Sequence, residues 1–332
     1  MDVMTDLGTF TIGFDPRDRA RLHELWDEVI DSQRWAEGPM IDRFEAAWEA
    51  EHGLPSVATA SWTGGALAAL AYAGVRGGKV IVPSNTFMAT PLAIIEAGAT
   101  PVFGDCRRDD LCLSLAEVER LLDAHDDVRA VFLVHIGGHI AFDSEAIAAL
   151  CRARGVTLLE DCAHAHGASW DGRRAGSYGD AGIYSLYATK TISTGEGGVL
   201  VSRDPELLAF ARAYRNYGKP DHAVHGLNFR MSEFTAALGL VQVQRLPDVV
   251  AWKNAMARAE LDAQHPNRLE LPAGMTSGLY KYIVFDPIER STGRVYEEPC
   301  HRIMGTGDDL PNTDWVAGHH WCVPLYYRPE AA

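Results

Sequence analysis

The sequence predicts an α/β protein: a large domain around a mostly parallel sheet of seven strands, then a small, shortened C-terminal α+β domain. Three observations carry this reading. Seven short apolar runs, SVATA, KVIVP, PVFGD, AVFLV, VTLLE, AGIYSLY and GVLVS, recur between residues 56 and 202. Helical patterns separate the first five, and near-continuous apolar strands of this kind belong to sheets covered on both faces. The chain has 332 residues with 47% hydrophobic content, enough for one large core and a smaller unit beside it.

Taken in order, the chain opens with a polar lead and PRDRARLHELWDEVI. Leu22, Leu25, Trp26 and Ile30 recur there at helical spacing, with Asp15-Pro16 as the start signal. A Gly-Pro turn feeds a second amphipathic helix through Phe44, Ala47 and Trp48. From Ser56 the strands alternate with the helical segments GALAALAYAG, ATPLAIIEAG, SLAEVERLLDAH and DSEAIAALCRARG. Such a sheet binds ligands just beyond the carboxyl ends of its strands. Helices follow at PELLAFARAYRNYG, MSEFTAALGLVQVQRL and DVVAWKNAMARAELDA. The last leads away from the sheet, so the boundary is expected near Pro247. Residues 1–246 then form an N-terminal arm and the large domain, and 247–332 the small one. After Pro266 the pattern is irregular apart from the strand-like LYKYIVF.

Charge and composition remove several classes of function. A net charge of −15 opposes nucleic acid and anionic membranes as partners. Any bound phosphate must be held by local backbone amides and hydroxyls. The six cysteines show no paired short spacing and read as reduced cytosolic thiols, not as a disulfide or zinc framework. No signal peptide and no apolar run of ~18 residues is present, so the expected location is the cytoplasm.

The residues that carry chemistry gather around SLYATKTISTGEGG. Lys190 stands there between two apolar runs, before a loop of glycine and threonine. Burial disfavours the charged amine and makes it a better nucleophile. Asp161 follows the run VTLLE, 29 residues earlier. A buried carboxylate needs a proton or a cation, and a pyridinium nitrogen is such a partner; a helix N-cap is the plainer role. His164, three residues on, reads either as a contact to a bound ring or as a satisfied turn histidine. Cys162, His164 and His166 alternate beside Asp161, so Asp161, His164 and His166 also form a candidate metal set. In SVATASWTGGALAALAYAG, Ser61, Thr63, Gly64 and Gly65 fall where a strand gives way to a helix, a place suited to phosphate or to simple capping. Phe87 in PSNTFMAT reads as a stacking face or as core. Asn228 and Arg230 precede a helix that Ser232 caps. His135 and His139 flank Gly137-Gly138 and read as turn residues or the rim of a site.

In this order, these segments resemble the DegT/DnrJ/EryC1/StrS family of sugar aminotransferases. The resemblance runs from about Gly38 to Leu246. It rests on GPMIDRFEAAW, SWTGGAL, the TF of SNTFMAT, GATPVFGD, EDCAHAHGA, GSYGDAGIYSLYATKTISTGEGG and GLNFRMSEFTAA. The resemblance implies an aspartate aminotransferase-like fold (fold type I) and pyridoxal 5'-phosphate as cofactor. It implies an amino group moved from glutamate or glutamine to a keto-sugar or keto-cyclitol, with a dehydratase of the same family as the alternative. By the same resemblance Lys190 is the Schiff-base lysine and Asp161 the partner of the pyridine nitrogen. His164 lies near the phenolic oxygen and Phe87 stacks on the ring. Thr63, Gly64 and Ser185 hold the phosphate. Asn228 reaches the cofactor of the neighbouring subunit, which implies a homodimer with shared sites. Two departures stand out: Thr63 lies one position earlier than the usual Gly-Thr pair, and the segment after Pro247 is short.

Overall fold

The computed structural model of the chain describes residues 14–328. Two helices lead in, α1 (Asp18–Ser32) and α2 (Pro39–His52). Strands and helices then alternate: β1 (Ser56–Thr59), α3 (Trp62–Tyr72), β2 (Lys79–Pro83), α4 (Ala89–Glu96), β3 (Thr100–Gly104), α5 (Leu115–Ala124), β4 (Val128–Val134), α6 (Ser144–Arg154) and β5 (Thr157–Asp161). A small hairpin, β6 (Ser169–Trp170) and β7 (Arg173–Arg174), precedes β8 (Ala181–Ser185), β9 (Gly198–Val201), α7 (Pro205–Tyr214) and α8 (Glu233–Met256). The C-terminal part holds a π-helical turn (Ala257–Leu261), β10 (Met275–Thr276), β11 (Tyr282–Val284), α9 (Cys300–Met304), α10 (Pro311–Gly318) and β12 (Trp321–Val323).

The seven expected strands form one sheet in the order β1-β9-β8-β5-β4-β2-β3. Pairing is parallel from β3 across to β8, and β9 runs antiparallel between β8 and β1. Six strands therefore point their carboxyl ends the same way. Residues such as Val80, Ile81, Val131, Phe132, Leu159 and Ile183 are fully buried, as two covered faces require. Among the described residues, no helix is long and apolar enough to cross a membrane.

Leu22, Leu25, Phe44 and Trp48 face the core, whereas Ile30 is exposed and Val29 takes the buried position in its place. Glu233, the first residue of α8, is buried with its carboxylate on the N–H groups of Gly38 and Met40 at 3.0 and 2.7 Å. A negative charge on the open amides at the start of α2 is favourable, and it ties α2 to α8.

Pro247 does not end a helix. The expected pair of helices is one, because α8 runs through Pro247 to Met256. Proline removes one N–H from the ladder, and packing holds the helix on both sides: Leu246, Val249 and Val250 are buried. A boundary at 246/247 thus falls inside a continuous helix. The strand expected in LYKYIVF is the short β11, paired with β12.

Candidate active site

A cavity of about 700 Å³ opens at the carboxyl edge of the sheet. The ends of four strands build it. Asp161 is the last residue of β5 and Ser185 the last of β8, so both lie on their strands and not beyond them. Ser61 and Thr63 follow β1, and Phe87 follows β2. Lys190 comes from the loop between β8 and β9. Its backbone N–H bonds the Tyr187 carbonyl, so the turn after β8 aims the residue. The segment Thr292–Glu297, with Tyr280, supplies the opposite wall.

The cavity joins Thr63, Phe87, Asp161, His164, Ser185 and Lys190. Gly64 does not line it. A Cβ on Gly64 would come within 2.7 Å of the Phe229 side chain, so glycine serves packing there. The Phe229 carbonyl in turn accepts the Ala60 N–H at 2.7 Å, clamping the 228–229 segment to the end of β1. Asn228 also lies outside the cavity. It is exposed, and its Oδ1 accepts the Arg230 N–H at 3.3 Å.

Ser61 caps α3, with its Oγ accepting the Gly64 N–H at 3.4 Å. The first N–H groups of α3, with the Ser61, Thr63 and Ser185 hydroxyls, give the cavity an anion-holding corner. Phe87 is 65% exposed and presents a bare ring.

Asp161 is 5% exposed and accepts two hydrogen bonds, from the Thr90 hydroxyl at 2.9 Å and the Ala163 N–H at 3.0 Å. Burial pushes its carboxyl above the ordinary range, while Ala163, Thr90 and Lys190 pull it back. Burial brings the Lys190 amine down from 10.5 to about 8; Asp161 opposes that and Lys281 adds to it. Lys190 Nζ sits 4.8 Å from the Tyr280 ring centre. His164 stacks on the same ring at 4.1 Å and meets the Tyr296 hydroxyl at 3.4 Å. Burial holds this imidazole well below its usual value, hence neutral.

Thr90, Tyr280, Arg294 and Tyr296 were not among the sequence candidates. Thr90 reads as one more position of the helix ATPLAIIEAG. Tyr280 lies in a run identified only as a strand, and Arg294 and Tyr296 come from the irregular tail.

Asp161, His164 and His166 do not converge as metal ligands. His166 packs edge-on against Trp48 and Tyr184, at 6.2 and 5.3 Å. The metal-capable trio among the described residues is instead His135, Glu160 and Cys162. Its groups are already engaged: Glu160 accepts the Gly176, Tyr178 and Gly179 N–H groups, and His135 bonds Glu160 at 2.8 Å and the Ala141 N–H at 3.1 Å. His135 and His139 are buried and do not line the cavity around Lys190.

A neutral-prone amine, a buried carboxylate lacking a full donor set, a bare aromatic face and a hydroxyl-rich helix start fit pyridoxal phosphate in kind and in placement.

The chain is similar in sequence and in fold to known aminotransferases. Residues 16–263 match the model of the DegT/DnrJ/EryC1/StrS aminotransferase family. A dTDP-3-amino-3,4,6-trideoxy-alpha-D-glucose transaminase from Micromonospora megalomicea subsp. nigra is 33% identical, over 93% of this chain and 91% of that one. An L-glutamine:2-deoxy-scyllo-inosose aminotransferase from Streptomyces fradiae is 32% identical, over 86% of this chain and 69% of that one. The crystal structure of the aminotransferase TlmJ from Streptoalloteichus hindustanus superposes with a TM-score of 0.87 at 30% identity, covering 96% of this chain and 93% of that one.

Proposed function

The chain belongs to the DegT/DnrJ/EryC1/StrS aminotransferase family, and we propose that it moves an amino group from glutamate or glutamine to the keto group of a sugar or cyclitol. The observation that carries the reading is the meeting in one cavity of half-buried Lys190 and buried Asp161, neither of which has an ion pair among the described residues. Relatives named for a dTDP-sugar and for an inosose support this acceptor class.

In this reading Lys190 would hold pyridoxal phosphate through its aldehyde and Asp161 would face its ring nitrogen. Thr63, Ser61, Ser185 and the first amides of α3 hold the phosphate, and Phe87 covers the ring. When bound, the cofactor supplies an electron sink for the carbon that loses its proton. The chain's own contributions follow from its geometry. With a pKa brought to about 8, roughly a tenth of Lys190 Nζ is free base at pH 7, far more than for a solvated lysine at 10.5, so it can take up and return a proton. Asp161, closed off from water, keeps a positive charge on whatever N–H it faces. Neutral His164, held between Tyr280 and Tyr296, offers a hydrogen bond without adding charge. Tyr296 and Arg294 line the same cavity and are available to the acceptor.

A homodimer completes the site. Asn228 is exposed on a segment that also presents Tyr217 and Leu227, 48% and 53% exposed, to solvent. Apolar side chains this open mark a surface that another chain covers. Six buried cysteines, all free thiols, suit a cytoplasmic location.

The test is a screen of the purified, cofactor-loaded protein. Keto-sugars, nucleotide-linked and free, and keto-cyclitols are offered with glutamate or glutamine, and aminated product is read by mass spectrometry. Amination of at least one acceptor is expected. Turnover restricted to simple keto acids would overturn the acceptor class.

A further inference from the structure

The chain has five lysines. Lys79 and Lys219 each face a carboxylate, Asp127 and Glu37. The other three meet in one place. A second chamber of about 60 Å³ is bordered by Lys190, Lys253, Lys281 and Thr191, and it shares Thr189, Lys190 and Tyr280 with the large cavity. That volume admits a few waters or one small anion.

Lys253, on α8, is 6% exposed, and its ammonium makes one hydrogen bond, to the Leu279 carbonyl at 3.0 Å. Lys281 Nζ sits 5.2 Å from the Tyr280 ring, which Lys190 also approaches. Among the described residues neither Lys253 nor Lys281 has an ion pair. The other charges around the chamber are committed. Asp15 holds Arg17, and Arg245 holds Asp18 and Asp248. The phenols of Tyr326 and Tyr327 complete the wall. Thr191 Oγ1 is buried and has no partner, so a hydroxyl donor on this wall is unspent.

Buried ammonium groups without counter-charge either lose protons or take an anion. A void beside them, with an unspent hydroxyl on its wall, favours the second outcome. We propose that the chamber is a binding site for a small oxyanion, a carboxylate or inorganic phosphate, held by Lys253, Lys281 and Thr191 beside Lys190. This site is independent of which acceptor the enzyme aminates. With Lys190 committed to the cofactor, Lys253 is the ammonium that burial brings to about 8. Protonated lysines bind the anion, so affinity is greatest below that range and falls as pH rises through it.

Calorimetric titration of inorganic phosphate, and separately of glutarate, into cofactor-loaded protein tests the proposal, since loading fills the cofactor's own phosphate corner. Saturable binding is expected at about pH 7. It should weaken about tenfold in Lys253→Met and several-fold in Thr191→Val, and stay unchanged in Lys79→Met. The tighter of the two ligands identifies the source as free phosphate or a carboxylate. Methionine preserves volume at position 253, and a thermal melt checks its fold; phosphate should raise the wild-type melting temperature but not that of Lys253→Met. Absence of saturable binding, equal affinity in wild type and Lys253→Met, or no weakening between about pH 7 and 9.5 would overturn the site. Phosphate binding without any transamination would leave the site standing and remove only the activity.

Discussion

Glu160 and Asp161 are neighbours at the end of β5 and face opposite sides of the sheet. Glu160 is fully buried and accepts four hydrogen bonds, from three backbone N–H groups and His135. Burial alone would raise its carboxyl, but His135 and the backbone donors outweigh that and hold it below the ordinary range. Asp161 accepts two, and its carboxyl is held above that range. One carboxylate is saturated from within the chain and fastens the 176–179 turn against β5. The other is left short of donors at the mouth of a cavity. Two acids of nearly equal burial can thus serve structure and chemistry, and the number of internal donors separates them.

The comparison predicts which property each side chain controls. The largest effect belongs to the cavity side. Lys190→Ala should lower transamination by about 10⁴-fold while the melting temperature stays close to wild type, because in the proposed reaction the amine is both attachment point and proton carrier. Single-turnover assays with glutamate check this, and near-normal turnover would remove Lys190 from the mechanism.

On the saturated side, Glu160→Ala should cost about 3–5 kcal/mol of folding stability, since it strands three backbone donors and His135 in the core. Denaturant unfolding measures it. A loss confined to activity would erase the distinction between the two acids.

Asp161→Asn should do the reverse: kcat falls roughly 10²-fold with little change in unfolding midpoint, because a neutral amide cannot keep a facing ring nitrogen charged. Activity within a few-fold of wild type would contradict the assignment.

Asn228→Ala sharpens the question of whether the cavity side is complete in one chain. Loss of one hydrogen bond to a charged phosphate, worth about 1.5–3 kcal/mol, should weaken cofactor affinity by about one to two decades. In mixed dimers with Lys190→Ala chains, the surviving site should regain near-normal affinity, because the intact Asn228 comes from the Lys190→Ala partner. A surviving site as weak as the Asn228→Ala homodimer would place Asn228 in its own chain's site.

The smallest effect is in pH. In cofactor-free protein the Lys190 amine should react with an acylating reagent at a rate that rises through about pH 8 and then levels, tracking the free base. A midpoint near 10.5 would show a solvated lysine. The same shift bears on stability. Its folded pKa is depressed below the unfolded 10.5, so the charged amine opposes folding most fully below about 8, and that cost fades as pH rises from 8 toward 10.5.

Much of this was legible in the one-dimensional pattern. Apolar runs of about five residues, bounded by turn residues and spaced by helical segments, read as buried strands, so all seven strands of the sheet could be located from the sequence, and with them the edge where Asp161, Ser185 and Phe87 emerge. Lys190 stood out because the chain has so few lysines and this one sits between two such runs. The family resemblance then supplied roles for these positions. The register of strands against one another, and any side chain whose partner is far away in the chain, carries no local signal. Pro247 looked like a break because proline disfavours helix locally, and tertiary packing on both sides of it overrode that preference. Thr90 meets Asp161 across 71 residues, and Tyr280 meets Thr189 across 91. Only the folded chain brings them together, because the burial, Coulomb and hydrogen-bond energies that shift Asp161 and Lys190 act over a few ångströms of space and are indifferent to distance along the sequence.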